Sequence, residues 1–253
     1  MRKIIGLALG VVALLAAISP GLSKEWKVVR VATEGAFPPF NYIDPGGQLR
    51  GFDVDIARAI CAKTKIECTF TAHEWEGIIP ALLAGKYDVI FASMSITPKR
   101  KQIIDFSDKY YEMPSVFVVS NDSNIADVGN LSGKNIGTQS STIQAAYLTE
   151  KYPNATIKLY RSQDDVNLDL AAGRIDGMLV GKANALEWLK GSSGKCCKIV
   201  GPDLVLGGPV GAGLRKEDQD LKAVINSGIA SILADGTYAR INAEYFPFSI
   251  YGN

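Results

Sequence analysis

The sequence predicts an α/β protein of two similar lobes, joined by two strand crossings that form a hinge. Three observations carry that prediction. Strand-like and helix-like segments alternate from Val28 onward, the order expected of helices packed on largely parallel sheets. "AGKYDVIFAS" (84–93) and "AGRIDGMLVG" (172–181) share Ala-Gly, a cation, a hydrophobe, Asp and an apolar strand, so each half carries the same helix-cap-strand unit. Chance likeness of such units competes with duplication as the reason. The tail "VGAGLRKEDQDLKAVINSGIASILADGTYARINAEYF" reads as a strand and two helices; those helices need a sheet to cover, which returns the chain to the first lobe.

At the N-terminus, Arg2 and Lys3 precede the apolar run "IIGLALGVVALLAAI", followed by Gly21 and Ser23. This is the pattern of a secretory signal peptide, cleaved near Ser23. The run falls short of the ~20 apolar residues that span a bilayer, and no cysteine follows it to carry a lipid, so a free periplasmic protein is expected. About 230 residues remain, enough for two modest domains. We expect a discontinuous first lobe at 24–114 and 210–253, a second at 115–209, and crossings at Ser115–Val119 and Val210–Leu214.

In the first lobe "VVRVA" reads as a strand, and "GFDVDIARAICAKT" as a helix with apolar Phe52, Ile56, Ala59 and Ile60 on one face. "IECTFTA" alternates as a strand does. "WEGIIPALLAGK" is a helix closed by Gly85, and "YDVIFAS" a buried parallel strand. The second lobe repeats the grammar: "KNIGT", the helix "TIQAAYLTEKY", "IKLY", the helix "DDVNLDLAAGR" and the strand "IDGMLVG". Ligands in such sheets gather beyond the carboxyl ends of parallel strands. Ser93 and Gly181, at matching ends of the two repeats, should therefore face each other across an interlobe cleft, a usual place for a small ligand.

Lysine plus arginine number 27 against 26 acids, a balance that argues against nucleic acid and polybasic membrane binding. In an exported chain disulfides are the default for the four cysteines. Cys61 and Cys68 could close a local loop. Adjacent Cys196 and Cys197 stay unassigned. Zinc is weakly supported, since His73 is the single histidine; no metal or cofactor is expected. The glycine-rich "GPDLVLGGPVGAG" (201–213) lacks Gly-Lys-Ser/Thr and opens a strand, so it suits the return crossing better than a phosphate loop. In "SMSITPKR" (93–100), the residues alone make Arg100 a solvated cation between Lys99 and Lys101.

The stretches "ATEGAFPPF" (32–40), "GFDVDIARAI" (51–60), "WEGIIPALLAGKYDVIFASMSITPKR" (75–100), "DFSDKYY" (105–111), "GRIDG" (173–177) and "DGTY" (235–238) occur in an order and spacing that is highly specific. From about Lys27 to Gly252 the chain resembles the polar amino-acid-binding proteins of ABC importers, solute-binding family 3, and in particular arginine and lysine/arginine/ornithine binders. The resemblance implies a type II periplasmic binding fold and a monomer that captures a cationic amino acid, arginine first, for an ABC permease in the inner membrane.

It also implies roles for residues. Arg100 would grip the ligand's α-carboxylate with its planar fork of donors, with Ser95 donating from its backbone, Ser93 touching the ligand, and Thr142 adding a donor at a helix start. Phe37 and Trp75 would sandwich the cationic side chain, a contact worth roughly 0.5 to 2 kcal/mol; Phe40 is left to the core. Glu34 would meet the distal cation. Ala92, Met94, Gln139, Ser141 and Gly181 complete the expected lining. At Gly181 the sequence departs from relatives that carry an Asp for the ligand's α-ammonium, which suggests an opine, its amine substituted by a carboxylated group that Lys182 or Gln139 would contact. Asp176, aligned with Asp88, suggests structure instead. The competing readings are a cyclohexadienyl dehydratase-like enzyme on the same fold, with Glu34 as its acid, and a sensor module.

Overall fold

A computed structural model describes residues 26–125 and 127–252; the expected signal peptide lies outside the described residues. β1 (Val28–Thr33) alternates exposed and buried positions before its last three residues turn fully inward. Three short strands, β2 (Ala36–Phe37), β3 (Asn41–Ile43) and β4 (Leu49–Arg50), then fold into a small antiparallel sheet. α1 (Phe52–Thr64) carries Asp53 and Asp55 in its first turn and Lys63 in its last, charges that complement the helix dipole. β5 (Glu67–Ala72), α2 (Trp75–Leu83), β6 (Val89–Ile90), the short α3 (Pro98–Lys101) and β7 (Asp105–Tyr111) follow.

The second half runs β8 (Ser115–Ser120), β9 (Asn135–Gln139), α4 (Ile143–Lys151), β10 (Thr156–Tyr160), α5 (Gln163–Ala171), β11 (Gly177–Gly181), α6 (Lys182–Lys190) and, after a 3-10 turn, β12 (Cys197–Leu204). The chain closes with β13 (Val210–Leu214), α7 (Gln219–Ala234) and α8 (Thr237–Tyr245).

Two five-stranded sheets organise these elements, in the orders β5-β1-β6-β13-β7 and β10-β9-β11-β8-β12. Parallel pairs sit at one side of each, and β13 and β8 join antiparallel. Both faces of the first sheet are covered, as its apolar runs require. Val31, Val89 and Phe91 pack with Ile56, Ile225 and Ile241, whereas Ala32, Ile90 and Ala92 pack with Ile78 and Leu82 of α2. Fully burying each valine, isoleucine, leucine or phenylalanine among these stabilises by about 1.5 to 3 kcal/mol. Similar clusters cover the second sheet.

The structure differs from expectation at the crossings. Ser115–Ser120 lies wholly in the second sheet and Val210–Leu214 in the first, because both strands are fully or nearly fully buried and pair along their length. The chain passes between sheets just ahead of them, in segments 112–114 and 205–209. Cys61 and Cys68 are bridged, tying α1 to β5, and the unassigned Cys196 and Cys197 are bridged to each other. No described helix is long and apolar enough to cross a membrane.

Candidate ligand-binding cleft

The carboxyl ends of β1, β6, β9 and β11 converge on a cavity between the two sheets, with about 600 Å³ of non-atom space including its open mouth. That suits a small ligand. Glu34, Phe37, Trp75, Ala92, Ser93, Ser95 and Arg100 line it from the first lobe, and Gln139, Thr142 and Gly181 from the second.

Arg100 sits on α3, which Pro98 opens and Thr97 caps by accepting the Arg100 N–H through its hydroxyl at 3.2 Å. This short turn swings the guanidinium away from Lys99 and Lys101. Its Nη1 donates to the Ser95 carbonyl at 2.8 Å, and Nη2 crosses to the Ser141 carbonyl at 3.2 Å. Its carbon lies 5.2 Å from the Trp75 ring centroid. None of the described carboxylates forms an ion pair with it. Burial depresses its pKa to about 10, so it remains a cation at neutral pH with donors held only by neutral acceptors. The reading of Arg100 as a solvated surface charge fails on this geometry.

Glu34 follows β1 at the other side of the same cavity and accepts from Gln139 Nε2 at 2.5 Å. Burial pushes its carboxyl up to about 7, against the pull of the Gln139 bond and with help from the negative charge of Asp164. A carboxyl so placed gains most from a neighbouring cation, which restores its charge.

Other residues are committed differently from expectation. Met94 is fully buried among Ile104 and Ile90, on the core side of its strand end rather than in the cavity. Ser141 is exposed and left-handed (φ 57), and its carbonyl, not its side chain, serves the site by accepting from Arg100. The Thr142 hydroxyl caps α4, accepting from the Ala145 N–H at 3.1 Å and donating to the Gln139 carbonyl at 2.7 Å. Ser93, itself left-handed, donates to Asp53 Oδ2 at 2.9 Å. Trp75 offers its face to Arg100, and Phe37 stacks on Phe40 with centroids 5.9 Å apart. Phe40 itself is core. Lys182 turns to Asp203 at 2.6 Å and does not line the cavity. Asp176 accepts from the Asn135 N–H, as Asp88 does from the Arg30 N–H.

Met113, Gln144, Gln163 and Val210 line the cavity without having been anticipated. Met113 matters most. A Cβ added at Gly181 would lie 2.5 Å from its Cε and 3.2 Å from its Sδ, so a thioether fills the space that a side chain at this position would need. The interlobe link at 112–114, rather than either neighbouring strand, brings it there. Among the described residues no cluster could hold a metal ion.

Comparison with known proteins places the chain among solute-binding proteins. The family model for bacterial extracellular solute-binding proteins, family 3, matches residues 29–248. An L-arginine-binding protein of Pseudomonas aeruginosa is 37% identical, over 97% of this chain and 97% of its own length. An octopine-binding periplasmic protein of Rhizobium meliloti is 32% identical, over 94% of this chain and 96% of that one. An ancestral arginine-binding protein solved with glutamine bound superposes with a TM-score of 0.84 at 34% identity, covering 89% of this chain and 100% of that one.

Proposed function

The chain belongs to the bacterial extracellular solute-binding proteins, family 3, and from that premise we propose that it is a periplasmic receptor for a cationic amino acid, arginine first, or an arginine-derived opine. It acts as a monomer, closes its lobes on the ligand and delivers it to an ABC permease in the inner membrane. One observation carries the reading: a guanidinium with no carboxylate partner among the described residues and a carboxyl raised by burial line the same interlobe cavity. An arginine-type ligand complements both, its carboxylate against Arg100 and its guanidinium against Glu34.

The opine part rests on Gly181 and Met113. An unsubstituted α-ammonium buried beside a thioether would lack a counter-charge, which costs several kcal/mol in principle; an N-substituted amine brings its own carboxylate.

Calorimetry with arginine, lysine, ornithine, histidine, octopine and nopaline tests the reading. Binding of at least one, weakened roughly 30-fold or more by Arg100→Ala as expected for a desolvated charge pair, supports the receptor. Tight binding of L-arginine with no gain for octopine or nopaline removes the opine part, and no binding by any of the six rejects the whole. A second reading has one observation in its favour, since a Glu34 that titrates at about 7 could donate a proton; turnover of prephenate or arogenate would replace receptor by dehydratase.

A further inference from the structure

Asp53 is a carboxylate with no exposed surface, placed in the first turn of α1, and it does not line the cavity. Three side chains from three different parts of the chain donate to it. Tyr110 of β7 donates to Oδ1 at 2.9 Å. Ser93, in the turn after β6, donates to Oδ2 at 2.9 Å, as does Asn41 of β3. Asn41 in turn accepts the Gly35 N–H at 2.9 Å through Oδ1. The Asp53 N–H itself donates to the Phe40 carbonyl at 2.8 Å.

These partners are not scattered. Gly35 lies between Glu34 and Phe37, Ser93 is itself in the cavity wall, and Tyr110 stands three residues before Met113. A single buried group therefore fixes the turn that carries the acid, the turn that carries the serines, and the strand that leads into the interlobe link. We propose that Asp53 is a positioning residue for ligand capture, which holds the first-lobe half of the cleft in its binding shape through Ser93, Asn41 and Tyr110. The inference rests on the receptor reading above and deepens it.

Acceptor capacity is what the role demands, because an ionised carboxylate accepts at both oxygens whereas a protonated one converts an acceptor into a donor. Burial raises the Asp53 carboxyl to about 6, opposed by its bonds from Asn41, Tyr110 and Ser93. The titratable groups facing it are Tyr110 and Tyr111 of β7 and Tyr238 of α8, all neutral phenols with pKa values raised by burial. Acidification through about 6 should therefore loosen both turns.

The test uses the mature full chain with Glu34→Gln as background, which removes the other cleft carboxyl that titrates near neutrality. In ligand-free protein, Asp53→Asn should speed backbone hydrogen exchange at Gly35 and Ser93 roughly tenfold or more, the scale of a lost charged hydrogen bond, and leave Thr138 and Gln139 unchanged. Affinity for the best ligand of the panel should fall by roughly tenfold, and its decline between about pH 7 and about pH 5 should vanish. Should Asp53→Asn fail to fold, Asn41→Ala must loosen Gly35 while Ser93 stays protected, and Ser93→Ala must leave Gly35 protected. Unchanged exchange at both turns, or an acid decline that survives Asp53→Asn, overturns the positioning role. Retained exchange effects, in a protein whose form with Glu34 intact binds none of the six ligands, overturn the receptor reading alone.

Discussion

At Glu34, burial holds the carboxyl at about 7, well above the ordinary carboxylate range, so the side chain is anionic above neutrality and largely neutral below it. A cationic ligand prefers the anion, so affinity is full above about 7 and is lost as pH falls through that value, by up to about tenfold per pH unit. Calorimetry between about pH 8 and about pH 6.5 should show this slope with proton release on binding, and Glu34→Gln should flatten it; a flat wild-type profile would separate Glu34 from the ligand's cation. Glu34 was legible in the sequence through resemblance, and so was Arg100, because "TPKRK" by itself describes a solvated surface. What exposes Arg100 to the cavity is a four-residue helix with a proline start, which no periodicity reports. Met113 was illegible for another reason: its role depends on where the chain crosses between sheets, and that is a tertiary fact.

Much of the fold could be read because the two lobes repeat the same local devices. In both lobes an Ala-Gly step ends a helix, with glycine left-handed at Gly85 (φ 71) and Gly173 (φ 68), where a Cβ would be strained. In both lobes the following Asp accepts from the first-strand backbone, Asp88 from Arg30 and Asp176 from Asn135. The same letters perform the same local task twice. Other elements left no such mark. α6 begins directly at the end of β11 with Gly181 as its cap and no capping side chain, and β2 and β4 are two residues long. The Cys61–Cys68 bridge is local to α1 and β5, so its worth is stability rather than shape. Replacing both cysteines by serine should cost about 2 to 3 kcal/mol by the chain-entropy relation for so short a loop. Urea unfolding should report the loss, with ligand affinity unchanged.

Across the whole molecule, the lobes meet through protein groups as well as through the cavity. Arg161 pairs with Glu74, Ser140 donates to Glu76, and Asn184 donates to the Pro38 carbonyl at 2.5 Å. Each joins a residue of one sheet's surroundings to the other's. The Arg161–Glu74 pair is exposed, so solvent and salt screen it strongly. Arg161→Ala should raise the ligand's dissociation rate about two- to fivefold, leave association within a factor of about two, and lose this effect in high salt; stopped-flow release at two ionic strengths measures it. A dissociation rate unchanged at low salt would mean that the pair does not help hold the lobes together.

Met113 belongs at once to the segment that joins the lobes and to the wall beside Gly181. The contour of the wall and the course of the link between the sheets are therefore shared by one side chain. A replacement there disturbs both at once, so neither can be altered at this corner while the other stays as it was.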